Sequence, residues 1–245
     1  MAMLYWTKLN PTVKIVDTKK KFFNNYLYKA VVYAPGGRIV LNKNETDAKL
    51  LLAKRLQFLT ETKSYNYGGS WFRSSSAENL QKEAKSDQLQ FYIDNKEKFK
   101  NLIKIRIEEP NISLYSNDEN QLYNFCQSSY GNRLIEIHRP LNESAETILK
   151  RGEIIVTENI NYEYKVMLKE CFVQDMNIKR SLSNYLYNLG DDVKVTKSLY
   201  RNLQNPNTYF MGGYFYASRE DITMFINLIC PDLIARIYKL TKLEK

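Results

Sequence analysis

Ile103-Lys104-Ile105-Arg106-Ile107-Glu108-Glu109-Pro110-Asn111-Ile112-Ser113-Leu114 is the stretch that decides the fold class. Its isoleucines alternate with charged residues, the period of two expected of a strand with one face buried and one in water. Pro110-Asn111 signals a turn, and Ile112 with Leu114 begins a returning strand. Ser116 and Glu119 then have the spacing of a capping box, after which Leu122, Phe125 and Cys126 line one helical face and Gly131 is placed to end the helix. Leu134 to His138 reads as a third strand, with Ile135 and Ile137 on one side. Strand, strand, helix, strand is the order of an α+β fold, with mainly antiparallel sheet and packed helices.

Upstream, Tyr26–Leu41 predicts a β-hairpin turning at Pro35-Gly36-Gly37, with Arg38 to Leu41 as its second strand. A helix is expected from Thr46 to Thr60, burying Leu52, Leu56 and Leu59, and another from Ser86 to Lys100. Ser75 and Glu78 form a capping-box pair between them. Downstream, Ile178, Leu182, Tyr185, Leu186 and Leu189 give an amphipathic helix closed by Gly190, and Tyr209 to Ala217 reads as a strand. Ser218 and Asp221 should cap a last helix that Pro231 breaks in two. The expected organisation is a basic, aromatic-rich unit over residues 1–76, a helical linker over 77–100 and an α+β domain over 101–245.

Charge sharpens that division. Residues 1–75 hold 13 Lys and Arg against 4 Asp and Glu, whereas residues 76–245 hold 23 of each, so the whole net charge of +9 belongs to the first part. The basic part ends in Lys63-Ser64-Tyr65-Asn66-Tyr67-Gly68-Gly69-Ser70-Trp71-Phe72-Arg73, four rings with no helical or strand period. Cations attract phosphates through Coulomb forces and counterion release, and rings stack on unpaired bases. The expected function is therefore that of a non-enzymatic nucleic-acid-binding accessory protein, with single strands or RNA favoured. Lys49, Lys54, Arg55, Lys63 and Arg73 would contact phosphates, and Tyr65, Tyr67, Trp71 and Phe72 would stack. In the charge-neutral remainder, Lys165 is expected to contribute little. The alternative is a structural or assembly protein of a virion or multiprotein complex, using the same surface for protein contacts. A metal-dependent nuclease built from scattered carboxylates is the third reading.

Enzymatic motifs are sparse. Gly190-Asp191-Asp192 resembles the metal-binding turn of RNA-dependent polymerases, but its upstream flank has helical periodicity and Gly190 stands where a helix C-cap belongs. Gly213-Tyr214-Phe215-Tyr216-Ala217 resembles in part the aromatic strand motif of RRM domains, departing from it at Gly212 and Phe215. An ordinary Tyr-rich strand packed between helices is the reading taken, with Tyr214 and Tyr216 on one face and Phe215 on the other. His138 is the sole histidine, and no phosphate-cradling glycine loop occurs, so no catalytic residue, metal ligand or cofactor is assigned. Glu108-Glu109 is taken as solvated charge at a turn. Cys126, Cys171 and Cys230 are odd in number and flanked by apolar residues, which suggests buried, reduced thiols in a reducing, cytoplasmic compartment. No apolar run is long enough for a bilayer span, and no membrane partner is expected. The excess of Tyr, Asn, Lys and Ile over Gly and Ala matches an AT-rich genome, such as that of a phage or a low-GC bacterium.

Overall fold

The computed structural model describes residues 3–42, 44–64, 86–128, 131–157, 160–173 and 176–243. The fold is α+β, with mixed but mostly antiparallel sheets. It divides into two compact units, residues 1–141 and 142–245. The expected boundary at 77–100 is not where the chain divides, because the first strands are woven into the same sheet as residues 104–139.

The first unit contains α1 (Met3–Thr7), β1 (Lys14–Asp17), β2 (Tyr28–Tyr33), α2 (Glu45–Ser64), α3 (Ser86–Phe99), β3 (Lys104–Glu108), β4 (Asn111–Ser116), α4 (Glu119–Ser128) and β5 (Leu134–Arg139). Its sheet runs β1-β5-β2-β4-β3, with β1 and β5 parallel and the remaining pairs antiparallel. Ala30, Leu114 and Ile137 meet across the central strands at zero exposure, and Leu122, Phe125 and Cys126 of α4 are buried in the same unit. Each of the buried Leu, Ile and Phe side chains contributes about 1.5–3 kcal/mol through removal of apolar surface from water. Phe91 and Tyr92 of α3 extend this core onto Phe125, with ring centroids 5.6 and 5.7 Å away. Asp118 rather than Ser116 caps α4, its carboxylate accepting from the Gln121 N–H at 3.1 Å.

Two expectations here are corrected. Gly37–Leu41 is a 3-10 helix, not the second strand of a hairpin, and β2 pairs with β4 and β5 instead. The cause is Glu109, whose carboxylate accepts from the Gly36 and Arg38 N–H groups at 3.1 and 3.0 Å and so fixes the turn from 71 to 73 residues away. Glu109 is thus a capping group rather than solvated charge. The second correction is Ile135, which is 42% exposed whereas Ile137 is fully buried. Pairing steps from Val31–Glu136 to Val32–Leu134, so Ile135 is the extra residue of a bulge and is turned outward.

The second unit contains α5 (Glu143–Lys150), β6 (Ile154–Val156), β7 (Tyr164–Leu168), β8 (Cys171–Phe172), α6 (Met176–Asn188), β9 (Val193–Val195), α7 (Lys197–Gln204), β10 (Tyr209–Phe210), β11 (Gly213–Ala217), α8 (Ile222–Ile229) and β12 (Ile234–Lys242). Its main sheet runs β6-β12-β7-β11-β9, with only β6 and β12 parallel among the described pairs. Phe215, Val166, Leu182, Leu199 and Ile226 form one core between this sheet and α6, α7 and α8. Gly190 ends α6 with φ +54°, the left-handed conformation that favours glycine.

Three expectations change in this unit. The segment after Pro231 is the strand β12, not a resumed helix. Ser218 does not cap α8; its hydroxyl donates to Asp192 at 2.7 Å, and Arg219 lies 3.6 Å from the same carboxylate. Asp192 therefore ties the Gly190–Asp192 turn to the end of β11. The strand expected over Tyr209–Ala217 is split at Gly212, where φ is +70° and a β carbon would stand 2.8 Å from the Leu168 carbonyl oxygen. Of the thiols, Cys126 is buried, and burial pushes its pKa up to about 12. Cys171 and Cys230 are only half-buried, because both sit at element ends. Among the described residues no helix is long and apolar enough to cross a membrane.

Candidate nucleic-acid interface

Most of the expected phosphate and stacking residues are not brought into one described surface. Tyr65, Tyr67, Trp71, Phe72 and Arg73 lie outside the described residues, as does the Ser75–Glu78 pair. Lys63 is in the last turn of α2. Lys49 is held 2.6 Å from Glu45 and 2.9 Å from Asp94, and hydrogen bonds to those two carboxylates raise its pKa. Its charge is locally offset. Arg55 lies against the backbone of Gly36, where a β carbon would be 2.5 Å from its guanidinium carbon. Lys54 is exposed on α2.

A basic, aromatic surface does form nearby, on the sheet face opposite the core of the first unit. Strand register places Val16, His138, Lys29, Tyr115 and Lys104 in one row across all five strands. The next row carries Lys14, Glu136, Val31, Ser113 and Arg106. Over these rows folds the loop Lys19–Tyr26, closed by paired backbone bonds between Phe22 and Tyr26 of 2.8 and 3.0 Å. Phe22, Phe23 and Tyr26 all meet the Tyr115 ring, at 5.6, 5.0 and 6.1 Å.

Phe23 is the unusual residue of this loop. Its φ is +51°, a left-handed conformation that costs a non-glycine residue about 1–2 kcal/mol. Yet its ring is not used to fill the core: it is 45% exposed. Lys104 Nζ stands 4.0 Å from the ring centroid, and the Arg106 guanidinium 5.7 Å from it. Lys29 approaches the neighbouring rings of Phe22 and Tyr115 at 6.0 and 5.8 Å. Beside this cluster opens a cavity of about 250 Å³ among Tyr26, Val40, Leu41 and Ile103, flanked by Lys100 and Lys104. An apolar floor with cations at its edge can take one flat ring and the phosphates on either side of it.

No protein-family model, curated protein or solved structure matches the chain. The surface must be read from its own chemistry.

The signal for it was in the sequence: Lys19-Lys20-Lys21 directly precedes Phe22-Phe23. Lys104 and Arg106 were visible only as the polar side of an alternating strand, because their meeting with Phe23 depends on sheet register. His138 lies edge-on to Phe22 at 5.5 Å and 3.5 Å from Glu136. Burial lowers its pKa, with Lys29 and Lys14 adding to the effect and Glu136 opposing it. A histidine whose folded pKa is depressed stabilises the fold when neutral, so that contribution is present above pH ~6.5 and is lost as pH falls through the lowered folded value. The thermal stability of the first unit should therefore fall below about pH 6.5, and His138→Gln should remove that part of the pH dependence.

Proposed function

We propose that the protein is a non-enzymatic binder of single-stranded nucleic acid, RNA favoured, acting through the basic aromatic face of its first unit. The observation that carries the reading is Phe23, whose ring sits in a strained loop, 45% exposed, with Tyr115 edge-on to it and Lys104 and Arg106 within cation–π range. A cation on an exposed ring is worth about 0.5–1 kcal/mol, whereas a base stacked on an aromatic side chain is worth about 1–3 kcal/mol. Exchange is favourable: the base takes the ring, and Lys104 and Arg106 turn to the flanking phosphates. Charge supports the same assignment, since residues 1–141 carry 22 Lys and Arg against 14 Asp and Glu, net +8, and residues 142–245 carry 14 against 13.

The test is fluorescence anisotropy of labelled oligouridylate with the full chain at low salt. Phe23→Ala should weaken binding about 5- to 150-fold, the loss of one stacked base. Equal affinity of Phe23→Ala and the unaltered chain contradicts the assignment. A second reading, as an assembly protein, has its own observation: Met224, Phe225 and Leu228 share one side of α8 and are 62, 54 and 78% exposed. It gains if oligonucleotides do not bind.

A further inference from the structure

We propose that the open face of the second unit's sheet is a separate base-stacking site for single-stranded nucleic acid, built on Tyr162, Tyr214 and Tyr216. The proposal rests on the reading of the protein as a nucleic-acid binder. The alternation of β11 puts Phe215 into the core at zero exposure and leaves Tyr214 and Tyr216 together on the other face, half-buried. Tyr214 and Tyr216 are thus directed away from the core that Phe215 and Val166 form with α6, α7 and α8. Tyr214 and Tyr216 meet edge to face at 5.7 Å, and Tyr162 stacks on Tyr216 at 6.2 Å with 26° between the rings. Three rings thus follow one another along the strand.

Register then adds the cations. Lys194, Tyr216, Lys165 and the buried Tyr238 form one row across β9, β11, β7 and β12, and Tyr214, Met167 and Arg236 form the next. Lys165 Nζ sits 3.7 Å from the Tyr214 ring centroid and 6.0 Å from that of Tyr216. Lys194 and Arg236 are exposed on either side of the tyrosines. Glu163, two residues before Lys165, is an exposed acid at the edge of this face. Rings for bases with Lys and Arg around them match a single strand, whose flat faces and phosphates alternate at short range. A near-neutral unit can hold such a site because only the local charge faces the ligand. Lys165, placed in the neutral part of the chain by the charge count, is central to it.

Ultraviolet crosslinking of oligouridylate to the full chain, with the adducts mapped by mass spectrometry, separates the two sites. Adducts at Tyr214 or Tyr216 are expected in addition to those on the first unit. In a Phe23→Ala background, Tyr214→Ala should weaken the remaining binding about 5- to 150-fold, while Tyr214→Phe, which keeps the ring, should not. Lys165→Ala should flatten the salt dependence of that remaining binding, with Lys194→Ala as a second variant at an exposed position. Binding and crosslinking confined to the first unit would overturn this proposal and leave the first reading standing. Absence of any oligouridylate binding would overturn both.

Discussion

Replacing Lys179 by alanine is expected to cost about 3 kcal/mol or more of the second unit's stability, although the residue touches neither proposed surface. Lys179 is 1% exposed inside α6. Its Nζ donates to the backbone carbonyls of Asn205 and Asn207, and it approaches the Phe210 ring at 6.0 Å. Those bonds hold the segment between α7 and β10, where the chain has no ladder of its own. A hydrogen bond from a charged group is worth about 1.5–3 kcal/mol, and truncation leaves two carbonyls without their donor as well as a cavity. Lys179→Met separates the two effects: it restores the stem's packing but not the donor, so about 1–3 kcal/mol of the loss should remain. Urea unfolding reads both losses as shifts in midpoint at constant slope. An unchanged midpoint in Lys179→Ala would show that this buried amine holds nothing.

Trp6→Ala should destabilise the first unit by about 3–5 kcal/mol. The side chain is completely buried, with the Tyr123 ring 5.3 Å away, although α1 has only five residues. Its Nε1 donates to Glu119 at 2.8 Å, and Glu119 also pairs with Arg139 at 3.1 Å. One carboxylate thereby joins the N-terminal helix, the start of α4 and the end of β5. Trp6→Phe keeps most of the apolar contact and loses the N–H, so it should cost less than Trp6→Ala. Hydrogen exchange should show the loss of protection in β2, β4 and β5 rather than in the second unit.

The parts of the fold that were legible in the sequence are those where a single period governs a whole element. Ile103, Ile105 and Ile107 alternate without interruption, and β3 pairs with β4 in that register. Elements with a bulge were misread. Pairing of β12 with β7 shifts between Ile234 and Arg236, which leaves Ile234 and Ile237 three apart, a helical spacing in a strand. Ile135 failed for the same reason. Gly37–Leu41 was misread because its conformation is set by Glu109, a contact no local pattern contains.

The candidate site was legible as composition and not as geometry. Excess charge and rings pointed to the N-terminal part of the chain, and the described surface includes Lys19 to Tyr26 from that part. Its other half, Lys104, Arg106 and Tyr115, is supplied by strands beyond the expected linker. Lys49 looked available in sequence, but Asp94, 45 residues away, takes it. The tyrosine face of the second unit was hidden by averaging, because a run of balanced charge can still be basic on one side of one sheet.

The most direct test of the central claim is the salt dependence of oligouridylate binding, compared among the unaltered chain, Lys104→Ala and Phe23→Ala. The account predicts a linear fall of log K with log[salt], steep by about 0.7 for each phosphate engaged. Lys104→Ala should make that slope shallower by about 0.7, while Phe23→Ala should lower affinity at every salt concentration and leave the slope unchanged, since stacking releases few counterions. Salt-independent binding, or equal slopes and affinities for all three proteins, would contradict it.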